Sequence, residues 1–223
     1  MKRRSILALF AGACASAPLV ALAQGAVPKP STGGVPVSVQ HGRGEFAKKM
    51  NGVLLPAGKG WRHVMDRDRL LQILVPEKWK VEVPPAGDTV LRALPPGNDK
   101  NPKAVLMVIL RGPSDTDPLE IDERFVENYA EGLKEEQPGL AGYKFTLTDS
   151  GLVVARGLKF ALAGGTMVFD KKETFRQQQL VYASEDRIVS IQFSALDKEF
   201  DKYADDVAKI FASYDTVGVR KAD

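Results

Sequence analysis

Cysteine is almost missing from this chain. Its 223 residues hold one, Cys14, and two histidines, His41 and His63. A structural zinc site draws on several Cys, His or carboxylate ligands at short spacings, and nothing in the sequence brings His41 and His63 together. A Ser-His-Asp triad would have only these two imidazoles to use, and no G-x-S-x-G elbow is present. Phosphate loops are missing too: Gly42-Arg43-Gly44 and Gly164-Gly165 have the wrong spacing, and neither opens a helix after a strand. No cofactor is expected. An enzyme working with carboxylates and no metal stays open as an alternative.

A surplus of one charge is also lacking. The chain carries 31 Lys and Arg against 28 Asp and Glu. Three of the basic residues, Lys2, Arg3 and Arg4, precede an apolar stretch from Ile6 to Val20 and the small-x-small triplet Ala21-Leu22-Ala23. That is the order of an export signal, and the stretch is short and rich in Ala and Gly for a membrane anchor. Cleavage between Ala23 and Gln24 is expected, giving a periplasmic protein with no transmembrane span. Its basic and acidic residues would then balance at 28 each. A non-specific nucleic-acid binder needs excess Lys and Arg to neutralise phosphates, so no nucleic-acid partner is expected. Cleavage would also remove Cys14, and with it any thiol chemistry. Two variants remain open. Arg3-Arg4 suits twin-arginine export as well as the general route. Ala11-Gly12-Ala13-Cys14 has the outline of a lipidation site, which would leave a lipoprotein anchored at Cys14.

Residues 24–45 are punctuated by Pro28, Pro30, Gly33, Gly34 and Pro36, and read as a flexible leader. Phe46 to Leu55 fits a helical turn or a short strand. A single domain is expected over 46–217, with 218–223 a frayed tail. Trp61–Met65 and Leu70–Val75 form two short runs around Asp66-Arg67-Asp68, which predicts a hairpin. Trp79, Val81 and Val83 alternate with Lys78, Lys80 and Glu82, predicting a half-buried strand that Pro84-Pro85 ends. On this pattern Trp79 is a core anchor; a ligand-stacking platform is the alternative. Thr89–Leu94 is a further strand. Ala104–Leu110 is apolar at every position, as in a strand covered on both faces.

Asp117, Pro118 and Glu120 then have the spacing of a helix start, and Ile121, Phe125, Tyr129 and Leu133 follow on one helical face. The carboxylates around Asp115 to Glu123 suit a solvated helix N-terminus, with a functional acidic patch as the alternative. Strands are expected over Tyr143–Thr148, Leu152–Ala163, Thr166–Phe169, Glu173–Ala183 and Arg187–Ser194, with turns at Asp149-Ser150-Gly151, Gly164-Gly165 and Glu185-Asp186. A closing helix is expected from Asp197 to Tyr214, with Phe200, Ala204, Val207 and Phe211 buried. Within Glu173–Ala183, Arg176 and Gln178 share a face with Thr174. Such a polar face is ordinarily solvated; it can also line a partner or ligand groove together with Lys159. These three residues are the candidate site.

The order of elements, with the pieces Leu74-Val75-Pro76-Glu77-Lys78-Trp79 and Phe211-Ala212-Ser213-Tyr214, resembles the PsbP-like fold family. That family includes DcrB-type periplasmic proteins and Ran-binding Mog proteins. The likeness runs from about Trp61 to Val217. It implies an α+β fold: a twisted, mainly antiparallel β-sheet flanked by two principal helices, in a PsbP-like sandwich. It also implies a member that binds or assists assemblies and does not catalyse. No site motif of the family matches residue by residue, so no functional residue is carried over. The resulting expectation is a non-enzymatic periplasmic binding or accessory protein of the cell envelope, acting on a protein partner or small ligand through a sheet face. The alternatives are the carboxylate enzyme and a lipid-anchored assembly factor.

Overall fold

The computed structural model describes residues 35–36, 38–43, 45–51, 54–55, 59–66, 71–84, 87–98, 102–113, 121–134, 144–155, 157–169 and 173–216. The signal-like segment, the helix start at Asp117 and Pro118, and the tail lie outside them. In chain order the elements are β1 (Val35–Pro36), β2 (Ser38–Arg43), α1 (Glu45–Met50), β3 (Leu54–Leu55), β4 (Trp61–Asp66), β5 (Leu71–Pro76), β6 (Lys80–Glu82), β7 (Thr89–Leu94) and β8 (Ala104–Arg111). Then come α2 (Glu123–Lys134), β9 (Lys144–Ala155), β10 (Leu158–Phe169), β11 (Glu173–Ser184), β12 (Arg187–Leu196), α3 (Asp197–Phe200), α4 (Ala204–Ser213) and β13 (Asp215–Thr216).

Eight strands form one sheet in the order β2-β9-β10-β11-β12-β8-β7-β6. Every pairing in it is antiparallel. A smaller sheet, β13-β5-β4, contains the expected hairpin, with Trp61 opposite Pro76 and Asp66 opposite Leu71. The α+β class and the large antiparallel sheet match the sequence reading. The coverage differs: α1 and the small sheet share one face with α4, so two helices alone do not flank this sheet.

The register divides the large sheet into two faces. The inner face carries Leu106, Val108, Leu162, Leu180, Ile191 and Phe193, all in the main core. It is covered by α1, α4 and residues of the small sheet together. Leu74 N–H donates to Ser213 Oγ at 2.8 Å, fastening β5 to the end of α4. On the outer face, among the described residues, α2 packs mainly on β9 and β10 and shares an apolar cluster with Val181 and Ala183 of β11 and Ile188 of β12. A helix about 10 Å across covers roughly two strands spaced about 4.8 Å apart. One such helix therefore cannot blanket eight strands. Ile121, Val126 and Leu133 anchor it, and Asp122 caps it by accepting the Phe125 N–H at 2.7 Å.

Several local readings need correcting. Residues 35–36 and 38–43, read as leader, form β1 and β2, and β2 is an edge strand of the large sheet. Asp149-Ser150-Gly151 and Gly164-Gly165 are not turns. They face each other in the middle of β9 and β10, beside a bulge that lets Gly164 pair with Asp149 and Gly165 with Leu147. Glycine is needed there for close approach: a Cβ on Gly165 would collide with the Thr146 carbonyl, and one on Gly164 with the Gln178 amide. The β9–β10 turn instead uses Gly157, whose φ of 77° favours glycine. The closing helix breaks at residues 201–203 into α3 and α4. Val83 does not follow Trp79 and Val81 inward; it is 43% exposed, because β6 ends at Glu82. In Ala104–Leu110 the inner face holds buried Ala104, Leu106 and Val108 with Leu110 half-buried, and on the outer face Ile109 is buried while Val105 and Met107 are half-buried.

Candidate functional site

The structure does not gather Lys159, Arg176 and Gln178. Arg176 and Gln178 lie on the inner face, opposite Thr166 and Gly164 of β10. Lys159 falls on the outer face, near the other end of β10, and is exposed. Arg176 is already engaged. Its Nε donates to Asp197 at 2.8 Å, its Nη1 donates to Asp201 at 2.7 Å, and its guanidinium lies 4.9 Å from the Phe200 ring centre. That arrangement ties α3 to β11. Gln178 is buried across Gly164, and its Oε1 accepts no hydrogen bond. The inner face is otherwise apolar and aromatic. Burial there pushes the Tyr214 phenol above its ordinary range, and the nearby Tyr182 adds to this.

The other side of the same strands carries a different set. On the outer face β11 presents Gln177 and Gln179, and β12 presents Ser190, Gln192 and Ser194. Gln177 pairs with Ser194, which pairs with Val105; Gln179 pairs with Gln192, which pairs with Met107. Gln177, Gln179 and Gln192 are 1%, 2% and 3% exposed. On the α2 side Tyr129 Oη donates to Gln179 Oε1, and its ring stacks on Phe125 at 5.7 Å. On the β8 side exposure rises through half-buried Ser194, Val105 and Met107. The set thus grades from a closed wall at α2 to a more open edge at β8.

Its hydrogen bonding is incomplete. Gln192 Nε2 donates to Ser190 Oγ at 3.0 Å, while Gln192 Oε1 has no partner. Neither Gln177 Nε2 nor Gln177 Oε1 has one. Turning the Gln177 amide over changes nothing, since both ends are unmet. Each buried orphan costs about 1–3 kcal/mol. Three together cost about 3–9 kcal/mol, a large share of a typical domain's stability of about 5–15 kcal/mol. A buried polar group normally has a protein, water or ligand partner. These three atoms, one donor and two acceptors, are left for a partner such as ordered water or a ligand.

Charge stands away from this set among the described residues. Arg92 is opposite Met107 on the far side of β8, two strands from β12, and its Nη1 lies 3.6 Å from Glu82 Oε2. Lys80 meets the same Glu82 at 3.0 Å.

The alternation within Glu173–Ala183 pointed to the face of Arg176, and Gln177, Gln179 and Gln192 were not singled out. A usable signal was present in RIVSIQFSAL, where Ser190, Gln192 and Ser194 alternate with Val189, Ile191 and Phe193. That pattern reads as a solvated face until the register and the burial are known.

Comparison with known proteins adds the fold. Cyanobacterial PsbP (CyanoP) from Synechocystis sp. PCC 6803 superposes with a TM-score of 0.53 at 9% identity, over 72% of this chain and 97% of that one. The chain has a PsbP-like fold. LpqN, involved in cell envelope biogenesis of Mycobacterium tuberculosis, overlaps with a TM-score of 0.47 at 19% identity, over 65% of this chain and 81% of that one. No family model matches the chain, and no curated protein sequence does. In this PsbP-like fold the polar set lies on the outer sheet face with Tyr129 of α2 at its border. No helix among the described residues is long and apolar enough to cross a membrane.

Proposed function

We propose that this is an exported accessory protein that binds a small ligand on the outer face of its large sheet, beside α2. The observation that carries this reading is Gln177, 1% exposed and unpartnered at both amide atoms. Binding is the activity such groups offer. A carboxamide gives one acceptor and two donor hydrogens, but it neither ionises nor attacks. Gln177, Gln179, Gln192 and the two serines can hold and orient a molecule. The basic start, apolar core and Ala21-Leu22-Ala23 support export with cleavage before Gln24, placing the protein in the periplasm.

The test is purification from the native cell envelope, followed by denaturation and mass spectrometry of what is released. Wild-type protein should release a small molecule in near-stoichiometric amount. The Gln177→Met variant, similar in volume and lacking the amide, should release none. Equal release, or none from either, removes the reading. The same spectra give the mature mass. Processing at Gln24 and lipid attachment at Cys14 differ there by nine residues plus acyl chains.

A further inference from the structure

We propose that the set of Gln177, Gln179, Gln192, Ser190 and Tyr129 binds a neutral polyhydroxylated ligand, a saccharide. This deepens the reading above and rests on it. The first argument is charge. Among the described residues no cation or carboxylate belongs to the set. On the outer face Arg92 is two strands from β12, about 10 Å away, and is paired with Glu82. Lys103, just before β8, is two positions from Val105, about 7 Å along the chain, and Arg111 is four positions from Met107, about 13 Å. A charged ligand seated on the three amides would lose its hydration without gaining a counter-ion. A neutral one meets no such cost.

The second argument is the kind of hydrogen bond left unmet. One donor group, Gln177 Nε2, and two acceptors, Gln177 Oε1 and Gln192 Oε1, are open within one patch. A hydroxyl both donates and accepts at one atom. Neighbouring hydroxyls on a ring can donate to an amide oxygen and accept from the amide nitrogen beside it. Gln177 and Gln192 are diagonal neighbours across β11 and β12, a separation of about 7 Å that a ring bearing several hydroxyls spans. The third argument is the border. Phe125 and Tyr129 on one side, and Val105 and Met107 on the other, give apolar surface for the C–H faces of such a ring. Together these features favour a molecule that is polar at its rim, apolar on its faces and uncharged.

The experiment is a thermal-shift titration of the mature protein. The probes are maltotriose and N,N′-diacetylchitobiose, with galacturonic acid as the charged control and trialanine as the peptide control. At about 10 mM a neutral saccharide is expected to raise Tm by about 2–4 °C, since a ligand of the native state stabilises by mass action. Gln177→Met and Gln192→Met should each abolish the rise. Lys159→Ala, on the same face but remote, should keep it. Circular dichroism confirms that each variant is folded, and either glutamine variant alone suffices if the other is not. A rise that survives both substitutions overturns the proposal. So does the absence of any rise with both neutral saccharides; if Gln177→Met then melts higher than wild type, ordered water was all the amides held. A rise only with galacturonic acid or trialanine, lost in Gln177→Met, overturns the neutral-saccharide assignment while leaving the outer face as a binding site. A failure of the underlying reading is recognised separately, by the lack of any co-purified molecule.

Discussion

Replacing Trp79 by alanine tests how the inner core is held. Trp79 is 3% exposed, although it stands in the turn before β6. Its ring lies 5.9 Å from that of Phe193 and 6.0 Å from that of Tyr203. It therefore links the centre of the large sheet to the break between α3 and α4. Its backbone is held independently of the ring: its N–H donates to the Pro76 carbonyl at 2.9 Å, and its carbonyl accepts Arg62 Nη2 at 2.6 Å. Alanine would keep that turn and remove the indole. The expected loss is about 3–5 kcal/mol, combining lost transfer energy with the void left behind. Aromatic pairing with Phe193 and Tyr203 accounts for about 0.5–1.5 kcal/mol per pair beyond burial. With a urea m-value of about 2 kcal/mol/M, the unfolding midpoint should fall by about 1.5–2.5 M. Lys80→Ala is the matched control. Its side chain is 53% exposed and faces Glu82 at 3.0 Å, so its loss should cost no more than about 1 kcal/mol. A Trp79→Ala midpoint within 0.3 M of wild type at about that m-value would refute the packing argument. It would also revive the ligand-platform reading of this tryptophan.

Further outcomes are expected elsewhere. Gly165→Ala should destabilise by about 1–3 kcal/mol in the same urea assay, because its Cβ meets the Thr146 carbonyl, which cannot swing aside. Gly164→Ala should cost less when combined with Gln178→Ala than alone, since the group it strikes is a side chain; additive losses would contradict this. Asp186 has its carboxyl held down at about 2 by hydrogen bonds from Arg187 and then from Ser184. Its folded pKa is below the ordinary 3.8, so this stabilisation is complete above that value and is lost as pH falls towards about 2. The carboxyl is 62% exposed, which limits the effect to no more than about 1 kcal/mol. Asp186→Asn should flatten that part of the stability-against-pH curve; an unchanged slope would show that the pair contributes nothing.

The parts legible in the sequence were those where one local signal suffices. Leu71, Ile73 and Val75 repeat at period two beside a polar Asp66-Arg67-Asp68, and no tertiary contact is needed to read a hairpin there. Phe200, Ala204, Val207 and Phe211 are all buried as their spacing predicts, even though the helix breaks between the first two. Glycine misled where its role depends on a distant strand. Gly164 and Gly165 resemble turn residues locally, yet they sit mid-strand because Gln178 and Thr146 crowd them. The candidate site failed for a similar reason. Arg176 and Gln178 alternate with Gln177 and Gln179, and a strand alone does not say which pair faces the apolar core. Asp197, Asp201 and Phe200 settle it by engaging Arg176, and they lie on the far side of the β11–β12 hairpin. Gln192 joins Gln179 only through the register of that hairpin.

Side-chain amide NMR tests the central claim most directly. Protein labelled with 15N on glutamine side chains gives separate NH2 signals for Gln177, Gln178, Gln179 and Gln192. Gln178 serves as an internal control, because it lies on the inner face while its two neighbours lie on the outer one. Titration with a neutral saccharide should move the Gln177 and Gln192 signals and leave that of Gln178 in place. Signals that all stay fixed, or a Gln178 signal that moves as far as the other two, would contradict a ligand site beside α2.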